Sequence, residues 1–371
     1  MRNHSFLVLV LLLVVGVFGV DTDGVKSVSV MEGDSVTLLT GLTEIQTDEV
    51  LRWTIQDDTI IAETDGEDKA ISVPGNEESF QGRLKLDPKT GSLTITNIKT
   101  RDSGVYKLKI SGKKLAESEF SVTVRGVFGV TDGVKSVSVM LGDSVTLHTD
   151  LTEIQTNYQI LWRFGGDIIP RLNSADYKWS NIDLNSKNGD LNIRNIQNDQ
   201  AGVYELEINN GSVILHRKLR ITFSGVFSDD GVKKMSASKD ESVTLQTRII
   251  YKPEDDVIEW TFGSQDTALA KTDRQNDKII IIYNEDDVRF KDRLELKTQS
   301  GDLTVNYFNT EVSGLYKVKI IKKTYTLQKT FDVGLKDSQE RSGSTGTGVS
   351  VKCGASVVLA CAAAVLLLQG V

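Results

Sequence analysis

The sequence predicts an all-β protein built of three tandem two-sheet β-sandwiches, and three repeated observations predict it. Ser-Val-Thr-Leu occurs at Ser35-Val36-Thr37-Leu38, Ser144-Val145-Thr146-Leu147 and Ser242-Val243-Thr244-Leu245. A tryptophan follows each segment, at Trp53, Trp162 and Trp260, and a Gly-x-Tyr follows each tryptophan, ending on Tyr106, Tyr204 and Tyr316. Around these anchors apolar residues alternate over short runs, as in strands with one buried face. A chain of 371 residues has room for two or three domains of roughly 100 to 150 residues.

The elements of the first unit follow in order, lettered as positions in a sandwich. Val36, Leu38 and Thr40 share one face of strand B, and Leu51, Trp53 and Ile55 share one face of strand C. Leu84 and Leu86 mark D, Leu93 and Ile95 mark E, Tyr106, Leu108 and Ile110 mark F, and Phe120, Val122 and Val124 mark G. Strand E recurs as Gly91-Ser92-Leu93, Gly189-Asp190-Leu191 and Gly301-Asp302-Leu303. The second unit opens as a close copy of the first, Gly133-Val134-Lys135-Ser136-Val137 against Gly24-Val25-Lys26-Ser27-Val28; the third, from Gly231-Val232-Lys233, has diverged. Gly-Val-Phe at 126–128 and again at 225–227 marks the seams, giving units at 20–125, 126–224 and 225–335.

A buried Trp on strand C and a corner Tyr on strand F are marks of the immunoglobulin sandwich. The first and third units leave room between Trp and Tyr for the extra C′ and C″ strands of a variable-type domain; the second is tighter. The fold class is therefore three tandem immunoglobulin-like, variable-type β-sandwiches. The pattern resembles the cysteine-free variable-type domains at the membrane-distal end of the signalling lymphocyte activation molecule family and its glycolipid-anchored adhesion relatives. It also resembles multi-domain, cysteine-free immunoglobulin-like proteins of fish. The resemblance spans about 24–335 and is carried by Trp53, Arg83, Asp102, Gly104 and Tyr106. It implies that Arg83 pairs with Asp102; the second unit has Asn181 and Gln200 at these places and the third Arg293 and Val312. It also implies an inter-sheet disulfide that this chain lacks, since both cysteines, Cys353 and Cys361, lie near the C-terminus. By register the bridge positions hold Thr40 with Leu108, Thr149 with Leu206 and Thr247 with Val318. One departure stands out: the family's second domain is disulfide-rich, and here no unit carries a cysteine.

The two ends read as targeting segments. Arg2, the apolar run Phe6 to Val15 and the small residues up to Gly19 have the layout of a secretory signal peptide over 1–19. Segment 336–344 reads as a stalk and 345–371 as a glycolipid-anchor signal: Ser342, Gly343 and Ser344 offer the attachment site, Thr345 to Gly354 a polar spacer, and Ala355 to Val371 an apolar tail. A short tail anchor is the other reading of the same segment. Both place the chain on the extracellular face of the plasma membrane.

Net charge is −8 with both signs interspersed, which leaves no basic footprint for nucleic acid. No nucleophile, base and orienting group come together in the sequence, so an enzyme is not expected, and neither is a cofactor. His148 and His216 read as ordinary surface imidazoles. Asp57-Asp58, Asp255-Asp256 and Glu285-Asp286-Asp287 read as solvated loops without calcium-loop spacing, and no metal site is expected. Asn210-Gly211-Ser212 is a glycosylation sequon on a tight F–G turn, read as an Asn-Gly type I′ hairpin.

The candidate partner-binding residues are the outward charges of the first unit, Lys107 and Lys109 on F with Glu117 and Glu119 on G. In the second unit the signs exchange, with Glu205 and Glu207 on F and Lys218 and Arg220 on G. Cross-strand pairing inside each sheet is the plain reading of both sets. The functional reading is a recognition face that meets another cell-surface protein, homophilic or heterophilic, of the same superfamily. The expected function is a membrane-anchored receptor or ligand in cell–cell adhesion or immune-cell recognition. The alternatives are a secreted or shed decoy or opsonin, and a passive spacer.

Overall fold

A computed structural model describes residues 24–336, apart from 57, 65–70, 73–79, 113–114, 128–129, 171–177, 250–255, 276–277 and 285. The signal segment, the stalk beyond 336, both cysteines and the Ser342, Gly343 and Ser344 attachment site lie outside the described residues.

The first sandwich comprises β1 (Val25–Met31), β2 (Ser35–Leu38), β3 (Val50–Ile55), β4 (Thr59–Thr64), β5 (Ile71–Ser72), β6 (Leu84–Leu86), β7 (Leu93–Ile95), β8 (Gly104–Ser111) and β9 (Ala116–Arg125). The second has β10 (Val130–Thr131), β11 (Val134–Leu141), β12 (Ser144–Leu147), β13 (Gln159–Phe164), β14 (Asp167–Ile169), β15 (Ile182–Leu184), β16 (Leu191–Ile193), β17 (Gly202–Asn209) and β18 (Val213–Val226). The third has β19 (Val232–Ala237), β20 (Val243–Leu245), β21 (Val257–Phe262), β22 (Thr267–Gln275), β23 (Lys278–Tyr283), β24 (Leu294–Leu296), β25 (Leu303–Val305), β26 (Gly314–Ile321) and β27 (Tyr325–Leu335). Strand alternation sets the faces: on β8 Tyr106, Leu108 and Ile110 are buried while Lys107 and Lys109 point outward. The extra strands match the room between Trp and Tyr, with β5 in the first sandwich and β23 in the third. The second stops at β14 among the described residues.

Each core repeats one set of ties. The indole Nε1 of Trp53, Trp162 and Trp260 donates to the carbonyl of Gly91, Gly189 and Gly301, at 2.9 Å in all three. These glycines have φ of +68°, +77° and +72°, and an added Cβ would press into Leu51, Ile160 and Ile258 respectively. Left-handed backbone and close approach together explain the glycine before every strand E. The Tyr106 hydroxyl donates to Asp102 O at 2.7 Å and that of Tyr204 to Gln200 O at 2.9 Å; Tyr316 does the same to Val312 O.

The bridge positions hold more than a filler. Thr40, Thr149 and Thr247 each donate a hydroxyl hydrogen bond of 2.7 Å to the turn before strand E, at Thr90 O, Asn188 O and Ser300 O. Thr149 and Thr247 are fully buried. A disulfide would hold strand B to strand F; here the threonine holds the end of strand B to the D–E turn instead.

The sandwiches are not beads on a string, and this the sequence reading missed. The front sheet of the second sandwich runs on into the back sheet of the first, in the order β14-β13-β17-β18-β2-β7-β6. The first half of β18 pairs antiparallel with β2, Val213 opposite Leu38 and His216 opposite Ser35, while its second half pairs parallel with β11. The third sandwich repeats the device on the second: β27 pairs β12, Tyr325 opposite Leu147 and Gln328 opposite Ser144, and then β19. Each following sandwich thus completes the free edge of the one before it.

Candidate recognition surface

Two surfaces emerge, the seams between sandwiches and the front sheet of the first. Each seam is locked by a buried ion pair. In the first, Arg217 of β18 and Lys135 of β11 converge on Asp34, which precedes β2; all three side chains are at most 1% exposed. Arg217 also meets Asp150 at 2.9 Å and donates to His148 O at 2.8 Å. In the second, Lys329 of β27 pairs with Asp143, which precedes β12, both side chains fully buried. Burial by itself would raise the Asp34 carboxyl, but Arg217 and Lys135 outweigh it and hold it below the ordinary carboxylate value. Asp143 has one cation; burial wins and pushes its carboxyl up, while burial also lowers Lys329.

Both histidines stand on seam strands: His148 is mostly covered, which corrects its reading as a surface imidazole, whereas His216 keeps a side chain 43% exposed, as that reading has it. His148 contacts Asp190 at 3.0 Å and, across the second seam, the Thr326 hydroxyl at 2.9 Å. His216 stands opposite Ser35 across the first. Asn210 is there too, because the Ser212 carbonyl accepts from Leu39 N at 2.9 Å. The hairpin turn sits one residue further along than an Asn-Gly type I′ turn requires. Asn210 N donates to Val213 O, only Gly211 of the tip has positive φ, and the Asn210 side-chain oxygen takes the N–H groups of Ser212 and Val213.

The front sheet of the first sandwich has the order β1-β9-β8-β3-β4-β5 and shares no strand with another sandwich. Lys107 and Lys109 stand opposite Glu119 and Glu117 in register. Lys109 meets Glu117 at 3.5 Å, but Lys107 turns to Asp58 at 3.3 Å instead of Glu119. Arg52 and Glu63 add a pair at 3.2 Å on β3 and β4. All are exposed pairs, worth about 0 to 1 kcal/mol each to stability. In the second sandwich Lys218 meets Glu205 at 2.9 Å, and Glu207 lies between Arg163 and His216; Arg220 is exposed opposite Val203.

Behind this sheet, Arg83, the residue before β6, donates to both oxygens of Asp102 in the turn between β7 and β8, at 2.6 and 2.9 Å. Its counterpart in the second sandwich is a reciprocal amide pair: Asn181 Nδ2 donates to Gln200 Oε1 at 3.0 Å and Gln200 Nε2 to Asn181 Oδ1 at 2.7 Å. The third has buried Val312 there, and Arg293 donates to Tyr307 O. Among the acidic loop residues, Asp58 pairs with Lys107, Asp256 with Lys322 and Asp287 with Arg289; Asp57, Asp255 and Glu285 lie outside the described residues. Among the described residues no group of acidic, histidine or cysteine side chains could hold a metal, and no helix is long and apolar enough to cross a membrane.

This architecture is that of three tandem immunoglobulin-like sandwiches, none of which carries a cysteine for an inter-sheet disulfide. Its first sandwich is a V-set domain: residues 24–125 match the immunoglobulin V-set domain model, and these are the residues that hold Arg83 and Asp102. Among solved structures, extracellular domains 3–5 of Drosophila OTK are 16% identical, with 86% of this chain and 97% of that one covered at a TM-score of 0.19. The first Ig-like domain of human CD48 antigen is 24% identical, with 31% and 95% covered at 0.27. CD84, of the SLAM family, is 19% identical, with 27% and 97% covered at 0.23. No curated protein matches the chain.

Proposed function

We propose that this chain is a cell-surface recognition protein that contacts a protein on another cell through the front sheet of its V-set domain. One observation carries the reading. The front sheets of the second and third sandwiches spend the first half of their G strands on the preceding sandwich, whereas Ala116 to Ser118 of β9 have no neighbour on that side among the described residues. The charges left on this sheet, Lys107, Lys109, Glu117 and Glu119, suit a contact that is selective and quick to form without being tight. Multivalent display between apposed membranes makes such contacts effective. The partner is a cell-surface protein, with homophilic and heterophilic pairing both open to the test below. Secretion through 1–19 and a glycolipid anchor at Ser342, Gly343 or Ser344 put the chain on the outer face of the plasma membrane.

The test is a full-length chain displayed on cells, with multimers of the secreted form as probe. Lys107→Glu with Lys109→Glu is expected to lower probe binding at least tenfold without changing surface level. Unchanged binding overturns the assignment of the face. Release of the surface protein by a phosphatidylinositol-specific lipase is the expected outcome for the anchor, and its failure removes the anchor without touching the face.

A further inference from the structure

We propose that the free edge of β20 in the third sandwich is a strand acceptor, which takes an extended segment of a partner protein with apolar residues at alternate positions and Arg or Lys two residues beyond the second. Twice in this chain the same edge is filled in the same way. β2 takes Val213-Ile214-Leu215-His216 with Arg217 seated on Asp34, and β12 takes Tyr325-Thr326-Leu327-Gln328 with Lys329 seated on Asp143. Ser242 followed by strand β20 repeats the same Ser-Val-Thr-Leu sequence, yet β20 closes a sheet of three strands, β20-β25-β24, with nothing paired on its outer side among the described residues. The backbone N–H that follows the strand is bound in both seams, Leu39 N to Ser212 O and His148 N to Thr324 O. Its counterpart in the third sandwich belongs to Gln246, which is exposed. Glu241 stands where Asp34 and Asp143 stand and is exposed, an acidic end to the edge awaiting a cation.

The occupant is a lone strand rather than another sandwich docked in the same pose. At the seams the residue before the aspartate is Gly33 or Gly142, where an added Cβ would run into Val130 or the Ser228 carbonyl of the incoming sandwich. The third sandwich has Asp240 there, at φ +62°. Its side chain obstructs the lead-in of a sandwich but leaves the strand edge open. A second copy is also a poor donor: its free strand offers Ala116 and Ser118 where the other donors carry Leu215 or Leu327 and Arg217 or Lys329. Edge pairing supplies affinity through backbone hydrogen bonds and selectivity through alternate side chains.

The experiment titrates a fluorescently labelled peptide of the Tyr325–Phe331 sequence into the intact secreted chain and reads anisotropy. Saturable binding is expected, weakened at least tenfold by Glu241→Lys and lost in Thr244→Pro, while a scrambled peptide does not bind. The exposed Glu241 side chain keeps the first variant folded, which circular dichroism checks. Absence of saturable binding, or binding indifferent to Glu241→Lys, overturns the proposal. So does concentration-dependent self-association of the chain that Glu241→Lys and Leu115→Glu both abolish, because the edge then belongs to a second copy.

Discussion

Arg217, on the second sandwich, donates to both carboxylate oxygens of Asp34 on the first, Nε to Oδ1 at 3.2 Å and Nη2 to Oδ2 at 3.1 Å. The two residues are far apart in sequence, and both are buried by the strand pairing they secure. A buried pair broken from one side leaves an uncompensated charge, which costs about 3 to 5 kcal/mol. Arg217→Met is therefore expected to destabilise the chain by about that amount, since Lys135 only partly compensates Asp34. Denaturant unfolding measures it, and faster exchange of the Leu39 amide would locate the loss at the seam.

The second seam behaves differently. Lys329 and Asp143 form a single buried pair in which burial drives both toward neutrality. Replacing both, Asp143→Leu with Lys329→Met, is expected to leave stability unchanged or raise it by about 1 to 4 kcal/mol, whereas Lys329→Met alone lowers it. A double-mutant cycle in urea reads the difference.

The acid limb of stability follows from the same residues. Asp34 has a folded pKa below its unfolded value of about 3.9, so its contribution is complete above that value and is lost as pH falls through the lower, folded pKa. Asp143 has the opposite sign: its raised folded pKa means that the native state binds a proton first, so its contribution grows as pH falls toward the unfolded value. Stability of Asp34→Asn measured between pH 2 and 6 should fall less steeply than that of the wild type on the acid side. A parallel displacement of the two curves would contradict the assignment.

The threonines at the bridge positions predict indifference to reductants. Melting temperature with and without a thiol reductant should coincide, because each described sandwich is held by packing and by hydroxyls such as Thr149 to Asn188 O. Thr149→Val keeps the shape but strands the Asn188 carbonyl and the Leu151 N–H, which Thr149 Oγ1 accepts at 3.1 Å. The expected cost is about 1 to 3 kcal/mol by thermal or chemical unfolding.

The first sandwich should depend on its charge pair more than the second does on its amides. Arg83→Gln leaves Asp102, 1% exposed, as an unpaired carboxylate, with an expected cost of about 3 to 5 kcal/mol. Asn181→Ala removes a neutral pair and should cost about 1 to 3 kcal/mol. Comparable losses in the two variants would remove the distinction between the sandwiches.

The sequence by itself determined the three sandwiches, their strand faces and the anchors of each core, because these follow from period-two alternation and from local geometry. Trp53, Tyr106 and Gly91 could be read directly, since each makes its tie within its own repeat. It also holds a sign of the seams: Arg217 and Lys329 stand at inward positions of their strands, between Leu215 and Leu219 and between Leu327 and Phe331. A charge at an apolar position requires a buried counter-ion, but alternation says nothing about which chain segment supplies it. Only the tertiary structure decided that Asp34 and Asp143 do so, that His148, His216 and Asn210 lie in the seams, and that β2 and β12 are covered while β20 is not. The physical reason is that a strand's second edge is satisfied by backbone hydrogen bonds, which every residue but proline can make and which leave little mark on sequence.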